Sequence, residues 1–240
     1  MKASKAGSDE QFDDEAQMIF AALNLDLGRR ERYNALDAIY KHPDTGAQVF
    51  VGNRNAASSK EILDANGIKR VVNCTGDMEN FFEDDDSMHY MRFRIATWMQ
   101  TVKEIRSNEA CLAFAEPMLE FVDTGLELGE SVLIHCLAGA HRAGTTGVIV
   151  LMHKLNEPFP EALLKARLLR PVINPIGTLK LYAERYSIAL AQTRVSNDAF
   201  SSIADHEEED EDVDEDEEDE EEDVQDSTDD SATLDAAISF

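Results

Sequence analysis

Residues 131–155 restrict the architecture more than any other part of the chain. Ser131-Val132-Leu133-Ile134-His135 is a short apolar run of the kind that forms a strand buried on both faces. It passes without a linker into Cys136-Leu137-Ala138-Gly139-Ala140-His141-Arg142-Ala143-Gly144, and then into a helical stretch from Thr145 to Leu155. A strand that turns directly into a helix belongs to a layered α/β fold, where the helix returns across the sheet. The flanking sequence repeats the alternation. Strands are expected over 47–51, closed by Gly52, and over 68–74, with an extended run over 89–95. A capping pair, Ser58 and Glu61, opens a short helix that stops at Asn66-Gly67. Further helices are expected over 108–128, with a new start or kink at Pro117, over 160–169 up to Arg170-Pro171, and over 176–193. The expected fold class is α/β, a central, mostly parallel sheet with helices on both faces.

The two ends read differently. Ser8 and Gln11 form a capping box ahead of Met18-Ile19-Phe20 and Leu23, which predicts a short amphipathic helix, either packed on the body or used for docking. A second helix is expected from Arg30 to Tyr40, before His42-Pro43. The chain thus divides into a helical N-terminal extension over 1–40, the α/β body over 41–197 and a tail over 198–240. The net charge of −27 is concentrated in the tail, where residues 201–240 hold 21 Asp or Glu and no Lys or Arg, leaving −6 for the first 200. A segment this acidic and this poor in apolar residues cannot offset chain entropy by burial, so it is expected to be disordered.

A body without a cationic stripe argues against nucleic acid as a partner. Three cysteines (Cys74, Cys111, Cys136) do not make a disulfide framework. No secretory signal or membrane-spanning run is visible, so the expected setting is the cytoplasm or the nucleus, with no membrane partner.

The residues after Ile134 carry the chemistry. A tight turn rich in Ala and Gly lets successive backbone N–H groups point inward, and the helix behind it adds its positive end. Arg142 returns over the same cavity, where its planar fork matches two phosphate oxygens. Cys136 at the base lies in that field, which favours a thiolate. A nucleophile and an anion cradle are thereby assembled without metal ligands or a cofactor.

His135-Cys136 followed by Arg142 resembles the His-Cys-x5-Arg phosphate loop of protein tyrosine phosphatases, and the body resembles their dual-specificity branch. The likeness extends from about Gln48 to Arg185 and takes in Val49-Phe50-Val51-Gly52, Val71-Val72-Asn73, Leu151-Met152 and Ala166-Arg167, Arg170-Pro171 and Asn174-Pro175. The resemblance implies a dual-specificity phosphatase-like fold with a catalytic body over 41–197 and a phosphorylated protein as substrate. It makes Cys136 the nucleophile, which forms a phosphocysteine, and Arg142 the phosphate clamp. It has His135 brace the loop through hydrogen bonds, and the backbone N–H groups of Leu137, Ala138, Gly139, Ala140, His141 and Arg142 bind the phosphate oxygens. His141 has no role of its own in this comparison and reads as a solvated loop residue, its other reading being a second cation on the phosphate.

Two positions depart from the family pattern. The slot after the arginine, where a Ser or Thr hydroxyl assists breakdown of the intermediate, holds Ala143, with Thr145 two residues on. The general-acid slot falls at Thr97, and no aspartate occurs between Asp86 and Asp123. Glu104, within a stretch longer than the family's, is the candidate stand-in, its other reading being a solvated carboxylate. Cys74 has two readings, a buried apolar cysteine or a reversible disulfide partner of Cys136. The tail has three: charge for solubility, recruitment of a basic protein partner, or a phosphate mimic lying over the loop. The function expected is a cysteine-dependent phosphatase acting on phosphotyrosine and on phosphoserine or phosphothreonine. The alternatives are a low-activity phospho-binding protein and a phosphatase of a non-protein phosphate.

Overall fold

The computed structural model describes residues 33–102 and 107–207. Five strands form one sheet: β1 (Leu36–Lys41), β2 (Gln48–Gly52), β3 (Ile68–Asn73), β4 (His89–Arg92) and β5 (Ser131–His135), in the order β1-β2-β5-β3-β4. β5 lies between β2 and β3 and is parallel to both, β3 is parallel to β4, and only the edge strand β1 is antiparallel, to β2. The mostly parallel sheet expected from the sequence is therefore present. The inner strands β2 and β5 run near-continuously apolar, as burial on both faces requires, whereas β1 and β4 at the edges carry charged residues.

The period of two along the strands sorts the core into two layers. Val49, Val51, Val72, Val132 and Ile134 face one side and pack with α4 (Asn108–Glu127), α5 (Arg142–Leu155), α6 (Phe159–Leu169) and α7 (Gly177–Glu207). Phe50, Val71 and Leu133 face the other and pack against the short helices α1 (Arg54–Ala57) and α2 (Lys60–Ala65). A 3₁₀ turn (Ile95–Thr97) and α3 (Trp98–Thr101) follow β4. Trp98 is fully buried and donates through Nε1 to the Thr178 carbonyl at 2.9 Å, fixing this turn to the start of α7.

Several local expectations are corrected. The helix expected from Arg30 to Tyr40 is replaced over 36–41 by β1, because hydrogen bonding to β2 along the sheet edge outweighs the weak helical preference of Leu-Asp-Ala. The cap of α2 is Ser59, whose side chain accepts from Ile62 N, and Ser58 instead ends α1. Pro117 neither restarts nor divides α4, which runs unbroken with Pro117 on its exposed side while Cys111, Ala115, Met118 and Val122 hold the buried side. The helix expected over 176–193 is longer than its sequence pattern suggested, and the backbone of α7 stays helical to Glu207. The helix expected after Ser8, residues 208–240 of the tail and Glu104 lie outside the described residues. Among the described residues, no helix is long and apolar enough to cross a membrane.

Candidate active site

The loop Cys136–His141 springs from the carboxyl end of the central strand β5 and ends at the first turn of α5. Small residues let α5 lie close to the sheet. A Cβ on Gly147 would come within 2.6 Å of Val51 Cγ2 and 2.9 Å of Ile39 Cδ1, and one on Gly144 within 3.2 Å of Ile173 Cγ2. Gly139 makes the turn itself, with φ +66°, and a Cβ there would meet the Gly52 carbonyl oxygen at 2.5 Å.

Four consecutive carbonyl groups of the loop have partners outside it. Leu137 O accepts from Arg54 N at 3.1 Å. Ala138 O accepts from the Tyr33 hydroxyl at 2.5 Å and from Arg170 Nη2 at 3.4 Å. Gly139 O accepts from Arg170 Nε at 3.0 Å, and Ala140 O from Asn174 N at 3.0 Å. In a trans peptide the N–H points opposite to the C=O. Four successive carbonyls anchored to the surrounding scaffold therefore leave the following amides aimed the other way, into the turn. Such a nest of N–H groups at a helix start suits an anion. Gly139 N already donates to Cys136 Sγ at 3.3 Å.

Cys136 and Arg142, at the two ends of the turn, are 2 % and 1 % exposed, so neither the thiol nor the guanidinium stands in bulk water. Arg170, equally buried, pairs with Asp37 at 2.5 Å and is committed to bracing the loop from behind. His141 is not the solvated residue expected from sequence. It is 5 % exposed, and its Nδ1 lies 2.7 Å from the Asn174 carbonyl, which requires the proton on Nδ1. Cys74 and Cys136 are both free thiols, each following a residue of the paired Asn73 and His135. Burial pushes the Cys74 thiol up, against a hydrogen bond to Thr146 Oγ1 at 3.4 Å.

His135 is fully buried, and among the described residues neither ring nitrogen has a hydrogen-bond partner of ordinary geometry, so the side-chain bracing of the loop that the resemblance implies is not seen here. Burial lowers its pKa to about 3, against an upward pull from the Cys136 backbone, and Arg92 and Arg142 add repulsion. The folded protein thus holds a neutral imidazole where the unfolded chain takes up a proton below its ordinary pKa. Stability is complete above that ordinary value and is lost as pH falls toward the folded one, at about 1.4 kcal/mol per pH unit. Relative to His135→Gln, the wild type should therefore lose about 2 kcal/mol of unfolding free energy between pH 7 and 5, read by urea titration. Parallel pH curves for the two proteins would mean that His135 is charged in the fold.

Residues 49–184 match the family model described as "Dual specificity phosphatase, catalytic domain". The chain belongs to the dual specificity phosphatase family. It is 30 % identical over 136 residues to human dual specificity protein phosphatase 9, covering 55 % of this chain and 33 % of that protein. The Drosophila melanogaster dual specificity protein phosphatase Mpk3 is 27 % identical over 127 residues, or 53 % of this chain and 29 % of that protein. The chain thus spans about a third of the length of these curated relatives. Among solved structures, human DUSP28 superposes with a TM-score of 0.52 at 18 % identity, covering 66 % of this chain and 96 % of that one. A leucine rich repeat and phosphatase domain containing protein from Entamoeba histolytica gives 0.50 at 17 %, covering 66 % and 94 %. These two share the fold.

Against the dual specificity pattern, the structure places Thr97 at the end of the 3₁₀ turn, with Oγ1 donating to Arg94 O at 3.0 Å. Ala143 is fully buried in the first turn of α5. Thr145 does not replace the missing hydroxyl, because its Oγ1 donates to His141 O at 2.7 Å and has no second proton to give. In the sequence, Arg170 and Asn174 stand out only through family likeness, and Tyr33, Asp37 and Asn53 do not stand out at all. An arginine at a helix end before proline is a usable signal for Arg170. Nothing local marks Tyr33. Among the described residues no group of three or more His, Cys, Asp or Glu could hold a metal ion.

Proposed function

We propose that this chain is a cysteine-dependent protein phosphatase that acts on phosphotyrosine, and more slowly on phosphoserine and phosphothreonine. The observation that carries the reading is the outward anchoring of four consecutive loop carbonyls around Cys136 and Arg142. Cys136 Sγ attacks phosphorus, the bond to the substrate oxygen breaks, and that oxygen leaves with a proton. The loop amides and Arg142 hold the three equatorial oxygens, where charge is spread in a loose transition state. Water then cleaves the phosphocysteine and regenerates the thiol. With Thr97 in the acid slot, Glu104 is the proposed proton donor, and a phenolate, which leaves with little help, is the favoured leaving group.

A second reading, phospho-binding with little turnover, is favoured by Ala143 and by the commitment of the Thr145 hydroxyl, since neither can help sulfur leave. Rapid mixing with an aryl phosphate separates the two. A burst of phenol equal to the enzyme, followed by a slow steady state, is expected. Ala143→Ser should raise the steady-state rate by about 10-fold and leave the burst unchanged. A protein that binds phosphate but shows no burst would be a binding protein instead. An unchanged steady state in Ala143→Ser would mean that breakdown of the intermediate is not limiting.

A further inference from the structure

The stretch matched to the family begins at residue 49, yet part of what shapes the phosphate loop lies before it. Tyr33 donates its hydroxyl proton to Ala138 O at 2.5 Å and accepts from Asn53 Nδ2 at 3.1 Å. The guanidinium carbon of Arg170 sits 5.4 Å from the centre of the Tyr33 ring, while its Nη1 reaches Asn34 O at 3.1 Å and Asp37 Oδ2 at 2.5 Å. The carbonyl that Tyr33 holds shares a peptide plane with the N–H of Gly139, and that N–H is the one directed at Cys136 Sγ, 3.3 Å away. Hydroxyl, carbonyl, amide and sulfur thus form one continuous chain of orientation. Arg170 Nη2 is the other donor to Ala138 O, at a longer 3.4 Å, so the hydroxyl is the main restraint on this peptide.

We propose that Tyr33 is a positioning residue for the reaction: its hydroxyl fixes the Ala138–Gly139 peptide so that the Gly139 amide faces the nucleophile and the incoming phosphate. The catalytic unit of this chain therefore starts no later than Tyr33. Asn53 completes the arrangement, because its donation fills an acceptor site of the phenol oxygen and leaves the single O–H for Ala138. The half-buried setting also pushes the phenol above its ordinary pKa, although the Asn53 hydrogen bond and Arg170 pull it down, so the donor keeps its proton at neutral pH. Gly139 has φ +66° and no side chain to lock it, which makes this the peptide of the loop most in need of an external restraint.

The proposal rests on the phosphatase reading, and its test separates the two. Tyr33→Phe removes one oxygen and keeps the ring beside Arg170. Inorganic phosphate binding, measured calorimetrically on the full chain, should weaken by about 10-fold, and kcat/KM on an aryl phosphate should fall by a similar factor, with thermal unfolding little changed. The Gly139 amide resonance should move while the Leu137 and His141 amides stay in place. Tyr33→Ala should produce the same changes to a larger extent, and the amide signal reports on its folded fraction. Unaltered phosphate affinity, or an unmoved Gly139 amide in Tyr33→Phe, overturns the proposal. A wild type without turnover, together with weakened phosphate binding and a moved Gly139 amide in Tyr33→Phe, would remove the enzyme reading and leave this one standing.

Discussion

Cys136→Ser should release no phenol from an aryl phosphate, in the burst or in the steady state, a loss of at least about 10⁴-fold, while still binding inorganic phosphate. The two halves of that result have separate physical origins. In the proposed reading, binding depends on amides whose partner carbonyls are anchored by Tyr33, Arg54, Arg170 and Asn174, and none of these bonds involves the Cys136 side chain. Chemistry requires a nucleophile that a serine hydroxyl, far less acidic than a thiol, does not supply. Arg142→Lys tests the other end of the turn. A lysine keeps the charge but loses the planar fork, and at a 1 % exposed position built around a guanidinium its ammonium cannot span two oxygens. A fall of about 10²–10³-fold in kcat/KM is expected. Product release by Cys136→Ser would place the nucleophile elsewhere.

Among the described glycines, Gly139→Ala should be the most damaging addition of a methyl group. Two costs add there: a φ of +66° that L residues rarely adopt, and a Cβ placed 2.5 Å from the Gly52 carbonyl oxygen and 2.8 Å from Arg170 Nη2. Gly129 separates them, since it has φ +76° but nothing within 4 Å of an added Cβ. Gly129→Ala should cost about 1 kcal/mol, the conformational part alone. Gly139→Ala should cost about 3 kcal/mol or more, because backbone rather than a flexible side-chain end must give way, and phosphate binding should be lost with it. Chemical denaturation of both variants reads the difference directly. Equal costs would mean that β2 and the loop can move apart freely.

The parts of the molecule legible in the sequence are those encoded locally. The buried run Ser131–His135, the small residues behind Cys136 and the Arg-containing helix start are contiguous, so the loop and its two principal side chains follow from the order of residues alone. The parts that are not legible depend on partners distant in sequence. Leu36–Lys41 carries no strong period of its own and becomes a strand because β2 presents an open edge. His141 looks like a loop residue until the Asn174 carbonyl closes over it. Tyr33 is 105 positions from Ala138, and no local pattern connects them. Pro117 suggests a break through its missing N–H, whereas the apolar side of α4 decides that the helix continues.

The anchoring of the loop has a consequence for the order in which the molecule comes together. Its carbonyls are held by segments before β1, after β2 and beyond α6, so none of these bonds can form from a local hairpin or helix turn. Closing such distant contacts costs chain entropy before any of them is repaid, which places the finished loop late in folding. An oxyanion that recognises only the finished loop therefore binds the assembled domain and no partial one, and its binding energy is drawn upon by every segment that anchors the turn.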